Sequence, residues 1–336
     1  MKIAILSPIA WRTPPQHYGP WEQVASNITE GLADRNIDVT LFATGDSITS
    51  AQLEWVCEKP YADNPAIDAK VNECLHISHL FQNAHRYDLI HNHYDFLPLT
   101  FSSFVNTPLL TTIHGFSSPL IVPVFKKYNA RTHYISISNA NRHPELDYLA
   151  TVYNGIDTAA FSFCAHPGDY LLFFGRIHPD KGAKEAIEIS RQAGKKIILA
   201  GLIQDHNYFS QYIQPFINDH NVIYAGNCNP HDRNVLLGKA IALLHPISFD
   251  EPFGLSVVEA MCCGTPVIAF NRGAMPELVQ HNINGFLVQN IAEAVSAIAG
   301  ITNINRKNCR ATVIEKFSKE KMTDDYINVY HRILGY

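Results

Sequence analysis

The stretch "FDEPFGLSVVEAMCCGTPVIAF", Phe249–Phe270, places a turn, a helix of small residues and an apolar strand in succession. Pro252-Phe253-Gly254 reads as the first turn of a helix running through Cys263, with Gly264-Thr265-Pro266 ending it. A helix that opens this way leaves its first backbone N–H groups, at Gly254 and Leu255, without intrahelical acceptors. Its dipole favours an anion at the same place. A carboxylate stands at each end, Glu251 before the helix and Glu259 within it. Eight residues of helix rise about 12 Å, roughly the reach from a sugar ring across a diphosphate to a ribose. A ligand with hydroxyls at both ends and negative charge between them fits that spacing. The plainer reading of Glu259 is a helix carboxylate that only complements the dipole. Among "SVVEAMCC" it should be buried, however, and a buried carboxylate needs partners, which a ribose diol would supply.

Outward from this stretch, short apolar strands alternate with amphipathic segments along the whole chain. The first half reads "KIAILS", "DVTLFA", "DLIHNH", "PLLTTIH" and "THYISIS"; the second reads "DYLLFFG", "KKIILAG", "NVIYAG", "IALLHP" and "TPVIAF". Helices fall between most of them, for example over Glu22–Arg35 and Lys184–Ala193. This alternation predicts an α/β fold with parallel sheets covered on both faces. Because both halves show it, two Rossmann-like domains are expected, residues 1–157 and 158–316, with a ligand cleft where their strand ends face each other. The junction lies near "TVYNGIDTAAFSFCAHPGDY", which has Asn-Gly, Pro-Gly and no sustained periodicity. Residues 317–336 carry Phe317, Met322, Tyr326, Val329, Tyr330 and Ile333 at helical spacing, so a last helix should dock on an existing surface, that of the N-terminal domain.

Functional residues should then cluster just after strands. In "FFGRIHPDKG" a strand ends at Gly175, and Arg176 and Lys181 follow ahead of a helix. Two cations converging there would clamp a diphosphate. The alternative is a surface turn with two solvated cations.

Taken together these pieces are familiar. "EPFGLSVVEAMCCGTPVIA" resembles the E-x7-E segment of the retaining glycosyltransferases of family 4, which have the GT-B fold. "GRIHPDKG" resembles that family's Arg…Lys diphosphate signature, "VYNGID" its inter-domain strand and loop, and "TIHG" its histidine-bearing strand end. "GAMPELVQHNINGFLV" resembles the segment that follows E-x7-E, so the likeness covers essentially the whole chain in order. It implies an enzyme that moves a sugar from a nucleotide diphosphate with retention at the anomeric carbon. By position, Arg176 and Lys181 would hold the diphosphate together with the turn Phe253-Gly254-Leu255. Glu251 would fix the transferred sugar, Glu259 the ribose, and His114 would help orient the donor sugar or the acceptor. The resemblance also implies front-face attack, no conventional nucleophile, no cofactor and no catalytic metal. One departure concerns the first loop, "SPIAWRTPPQHYGPWEQVA", where relatives carry Gly-Gly and this chain has Gly19-Pro20. Gly19 still permits close approach of the backbone to the donor. Pro20 removes an amide donor but suits the first turn of the next helix.

Seventeen histidines invite a test for metal. "HNHYD", His91–Asp95, resembles the opening of the zinc motif of metallo-β-lactamase-like hydrolases, but Phe96 stands where that motif continues with histidine. No metal is expected; the bland reading is a strand end from which His93 or Asp95 touches substrate. His114 has its own plain reading, a satisfied histidine at a strand end, yet Gly115 beside it would let a ligand approach. His245 in "LLHP" borders the acidic loop. Ser138 and Asn139 read as helix-capping residues. Seven cysteines, an odd number without paired-ligand spacing, indicate a reducing compartment.

Hydrophobic residues at 46% and charged ones at 17% describe a globular protein with real cores. A formal charge of −5 provides no global field for nucleic acid or an anionic membrane. "MKIAILSPIAW" reads as a first strand rather than a signal peptide, and no apolar run would span a bilayer, so a cytoplasmic protein is expected, with membrane contact possible but not indicated. The donor is guessed as uridine diphosphate glucose, with guanosine diphosphate mannose next. The acceptor is open among a glycan, a lipid-linked sugar and a small molecule. The rival readings are a sugar-nucleotide epimerase of the same fold and a non-catalytic protein that binds nucleotide sugars.

Overall fold

A computed structural model describes residues 1–62 and 64–336. The chain divides into two compact units, Met1–Gly155 with Lys319–Tyr336, and Ile156–Ser318. The division falls where Ile156 makes a parallel bridge with Ser318 and its N–H donates to Phe317 O at 2.9 Å. Phe317 and Ser318 therefore belong with the second unit, and the last helix proper is Lys319–Leu334.

The first unit holds a seven-stranded, all-parallel sheet of order β3-β2-β1-β4-β5-β6-β7. Its strands are β1 Lys2–Leu6, β2 Asp38–Phe42, β3 Gln52–Glu54, β4 Leu89–Asn92, β5 Leu109–Ile113, β6 His133–Ser136 and β7 Ala150–Thr151. The second unit holds a six-stranded parallel sheet of order β10-β9-β8-β11-β12-β13. Here β8 is Tyr170–Phe174, β9 Lys196–Ala200, β10 Val222–Tyr224, β11 Leu243–His245, β12 Val267–Phe270 and β13 Gly285–Val288. Both orders follow the doubly wound 3-2-1-4-5-6 pattern, extended by β7 in the first, with the reversal at β1/β4 and again at β8/β11; ligands bind beyond the carboxyl ends of strands at such a reversal.

All ten strands expected from apolar runs are present, because a strand buried on both faces reads as an unbroken apolar segment. β3, β7 and β13 were not legible: the first two are three and two residues long, and β13 sits inside "GAMPELVQHNINGFLV", where no strand was expected. The first helix begins at Pro20, not Glu22, and runs to Ala33, with proline at a position where a missing N–H costs nothing. The helix expected over Lys184–Ala193 spans Ala183–Gln192, and the one expected through Cys263 ends at Cys262. Ser138 and Asn139 begin no helix. The Ser138 hydroxyl instead accepts from Asn141 N–H at 3.0 Å in an irregular turn, and Asn141 Nδ2 donates to Ile113 O at 2.8 Å.

The Lys319–Leu334 helix is built into the first unit. Met322, Tyr326 and Tyr330 are fully buried, and Met322 Sδ accepts from Gly155 N–H at 3.0 Å. Gly31 lets the Pro20–Ala33 helix approach it: a Cβ there would lie 2.0 Å from Thr323 Oγ1. No helix among the described residues is long and apolar enough to cross a membrane.

Candidate active site

In the second unit two loops leave the carboxyl ends of β8 and β11 and clasp each other. After β8 the chain passes Gly175 and Arg176, makes a short 3-10 turn over Pro179–Lys181, and enters the Ala183–Gln192 helix through Gly182. Gly182 has φ 78°, and a Cβ on it would lie 2.1 Å from Pro246 O, so only glycine allows the loops to meet this closely. Ser248 N–H, on the β11 loop, donates to Asp180 O at 2.9 Å. The result is an ion pair between Lys181 Nζ and Glu251 Oε2, with both side chains mostly buried. Lys181 Nζ also lies 4.6 Å from the centre of the Phe249 ring. Arg176 Nη2 is 3.8 Å from Asp180 Oδ2, and its Nη1 donates to Gln204 Oε1.

Glu251 is held from behind, since Ala274 N–H donates to its carbonyl at 2.9 Å. Three residues on, Gly254 caps the Leu255–Cys262 helix at φ 109° with no side-chain cap. The N–H groups of Gly254, Leu255 and Ser256 meet no protein acceptor among the described residues. Two cations, a carboxylate and a free helix end thus share one strand-end region, the arrangement expected of a diphosphate site. The Phe253 ring points inward, 2% exposed and edge-on to Phe317 at 5.9 Å, so a ligand at this turn would meet backbone rather than that ring.

Of the residues here, Arg233 escaped sequence reasoning, and His245 was noted only as bordering the acidic loop. Glu259 is buried as expected, and burial pushes its carboxyl up, but a protein partner opposes the shift: Arg233 Nη1 lies 3.2 Å from Glu259 Oε1. Arg233 comes from the Pro230–Lys239 helix and stacks over Phe161 at 5.2 Å; in "HDRNVLL" it looks like any surface arginine. His245, at the end of β11, is buried, and its Nε2 lies 3.7 Å from Glu251 Oε2 with no hydrogen-bond partner among the described residues. Burial, reinforced by the Lys181 charge, lowers its pKa to about 3, so it is neutral.

The first unit gathers a second set at the carboxyl ends of β1, β4 and β5. Gly19 precedes the Pro20–Ala33 helix, and Glu22 in its first turn is 3% exposed, accepting from Trp11 N–H at 3.3 Å. Burial drives the Glu22 carboxyl up to about 7 and the Asp95 carboxyl likewise. His114, just after β5, has Nε2 2.9 Å from His93 Nδ1 and stacks on Trp21 at 5.4 Å. Burial lowers its pKa to about 3. His91 is committed elsewhere, with Nδ1 2.8 Å from Tyr330 Oη and Nε2 2.8 Å from Thr112 Oγ1. The described residues contain no group of three or more His, Cys, Asp or Glu side chains placed to hold a metal ion.

Residues 163–321 match the family model described as glycosyl transferases group 1, and residues 21–160 match that of glycosyltransferase family 4. The chain belongs to glycosyltransferase family 4. An uncharacterised glycosyltransferase of Methanocaldococcus jannaschii is 28% identical over 48% of this chain and 44% of its own length. The match thus spans less than half of that relative. GDP-mannose:cellobiosyl-diphosphopolyprenol alpha-mannosyltransferase of Komagataeibacter xylinus is 26% identical over 74% of this chain and 72% of its own length. Among solved structures, Anabaena HepE in complex with UDP and glucose superposes with a TM-score of 0.75 at 22% identity, over 98% of this chain and 99% of that one. The chain therefore has the GT-B fold, two parallel-sheet units of Rossmann type.

Proposed function

We propose that this family 4 glycosyltransferase moves a hexose from a nucleotide diphosphate sugar to a hydroxyl acceptor, retaining the anomeric configuration and requiring no metal. The observation that carries this reading is the Lys181–Glu251 pair beside the unpaired Gly254, Leu255 and Ser256 amides. Without substrate, Lys181 and Glu251 neutralise each other. A diphosphate competes for Lys181 and Arg176, and its oxygens accept from the free helix end. Glu251, released, accepts hydrogen bonds from the hexose hydroxyls, while Glu259, whose carboxyl burial pushes up and Arg233 draws back down, takes the ribose diol. In the reaction the acceptor oxygen bonds to the anomeric carbon as the bond to the β-phosphate oxygen breaks. That phosphate oxygen receives the acceptor proton, and Lys181 and Arg176 offset the charge developing on it. His114 orients a sugar hydroxyl.

Uridine diphosphate glucose is the first donor to test, because the Anabaena neighbour is in complex with UDP and glucose. Guanosine diphosphate mannose is second, from the name of the Komagataeibacter relative. The acceptor class stays open among glycans, lipid-linked sugars and small molecules. A cytoplasmic setting belongs to this reading and is supported by seven free cysteines.

Thermal-shift measurements against uridine, guanosine and adenosine diphosphate sugars identify the donor, since ligand binding raises apparent stability. With that donor, Lys181→Ala should lower turnover by about 100-fold or more. Turnover and donor affinity both surviving the change would remove the phosphate assignment. Conversion of the donor without any acceptor would point to epimerisation instead.

A further inference from the structure

We propose that His93 is a positioning residue that holds His114 as the Nδ1–H tautomer, so that the outward nitrogen of His114 is a hydrogen-bond donor. The inference rests on the reading above only in giving His114 a sugar hydroxyl to meet. The geometry is a single contact with one polarity to choose: His93 Nδ1 and His114 Nε2 lie 2.9 Å apart, and just one of them carries the shared hydrogen.

Burial decides which. His93 is fully buried, and its Nε2 has no hydrogen-bond partner among the described residues. If His114 Nε2–H donated, neutral His93 would have to carry its hydrogen on Nε2, an N–H sealed in the core without an acceptor. Orphaned buried N–H groups are rarer than under-satisfied acceptors. If His93 Nδ1–H donates, only a lone pair is left unmet at its Nε2. A doubly protonated ring is disfavoured as well, because burial holds both histidines below their ordinary range, with neighbouring His91 and His114 adding to the effect on His93. His91 cannot relieve the orphan, since Tyr330 and Thr112 occupy both its nitrogens.

With Nε2 of His114 accepting, its hydrogen sits on Nδ1. That nitrogen has no protein partner among the described residues and, unlike His93 Nε2, is not closed off from solvent. Trp21, stacked on the ring 21° from parallel, keeps its plane from turning. The exposed atom therefore presents an N–H to an oxygen of substrate, where the other tautomer would present a lone pair. A second histidine sets which of the two it is.

The test is a long-range proton–nitrogen correlation spectrum of the full chain labelled with nitrogen-15 histidine at pH 7.5, with His114 identified by its loss in His114→Ala. The wild type should show His114 protonated at Nδ1 and bare at Nε2. His93→Asn, which keeps an N–H near the Nδ1 position, should preserve that pattern. His93→Phe should shift His114 toward Nε2–H. In turnover, His93→Phe should lower kcat by about tenfold or more with KM for the nucleotide sugar little changed, and His93→Asn should recover most of the loss. A wild-type His114 protonated at Nε2, or a tautomer unmoved in His93→Phe, overturns the proposal. If His93→Phe does not fold, the wild-type and His93→Asn spectra decide alone. The expected tautomer combined with full turnover in His114→Ala would uphold this inference and remove His114 from the proposed reaction.

Discussion

Glu22 shows how a residue with an ordinary sequence context acquires an unusual property. Nothing in "GPWEQV" distinguishes it from a first-turn carboxylate favouring a helix dipole, yet the loop after β1 folds over it and its carboxyl rises from 4.5 to about 7. The folded state then binds the proton more tightly than the unfolded state. Below about pH 4.5 both forms are protonated and the group is neutral to stability. As pH rises toward 7 the unfolded state ionises first, so stability falls, by about 3 kcal/mol once both forms are ionised. Glu22→Gln should therefore raise the melting temperature at pH 8 and leave it nearly unchanged near pH 4. Equal shifts at both pH values would mean the carboxyl is not held neutral. Glu259 teaches the complementary lesson. Its burial was legible from its apolar neighbours, but its partner Arg233 was not, because a salt bridge between residues 26 apart in sequence leaves no local pattern.

At the scale of elements, strands carried by an apolar run were legible, even the three-residue β10 and β11, whereas β3, β7 and β13 were not. Five-residue runs such as "YLLFF" and "KIILA" carry their burial in their composition, whereas β7 has only Ala150 and Thr151 and takes its strand character from pairing with β6. Helix contacts are less visible still. In an isolated helix, Gly31→Ala would stabilise by roughly 1 kcal/mol. Here the new methyl meets Thr323, which is fully buried and already donates to Lys319 O at 2.7 Å, so it cannot swing clear. Gly31→Ala should instead destabilise by about 1–3 kcal/mol, and Thr323→Ala in the same chain should restore part of the loss. Denaturant midpoints of the two variants check this; a stabilised single variant would show that the helices are not in contact there.

For the molecule as a whole, the buried histidines are unevenly shared. His76, His91, His93 and His114 lie in the first unit and His245 in the second, and burial lowers the pKa of each. Such groups contribute stability above the unfolded value of 6.5 that is lost as pH falls toward the folded values. Glu22 and Asp95 act the other way in the first unit, but two acids do not offset four imidazoles. All three tryptophans, Trp11, Trp21 and Trp55, also belong to the first unit, so their fluorescence reports its unfolding alone. Between pH 7.5 and 5 the fluorescence transition should move to lower temperature by more than the remaining far-UV circular dichroism change. Identical shifts in the two signals would contradict the unequal distribution.

The sequence by itself determined the α/β class, the ten strands carried by apolar runs and the family, because burial on both strand faces imposes apolar residues at close spacing, and it named Arg176, Lys181, Glu251 and Glu259 as candidates for the proposed site. Strand order, the clasp of Gly182 on Pro246, the Arg233–Glu259 pair and the His93–His114 contact were decided only in three dimensions. The physical reason is range: periodicity and turn chemistry act over a few residues, whereas burial, pKa and hydrogen-bond partnership depend on whichever distant segments the sheet brings alongside.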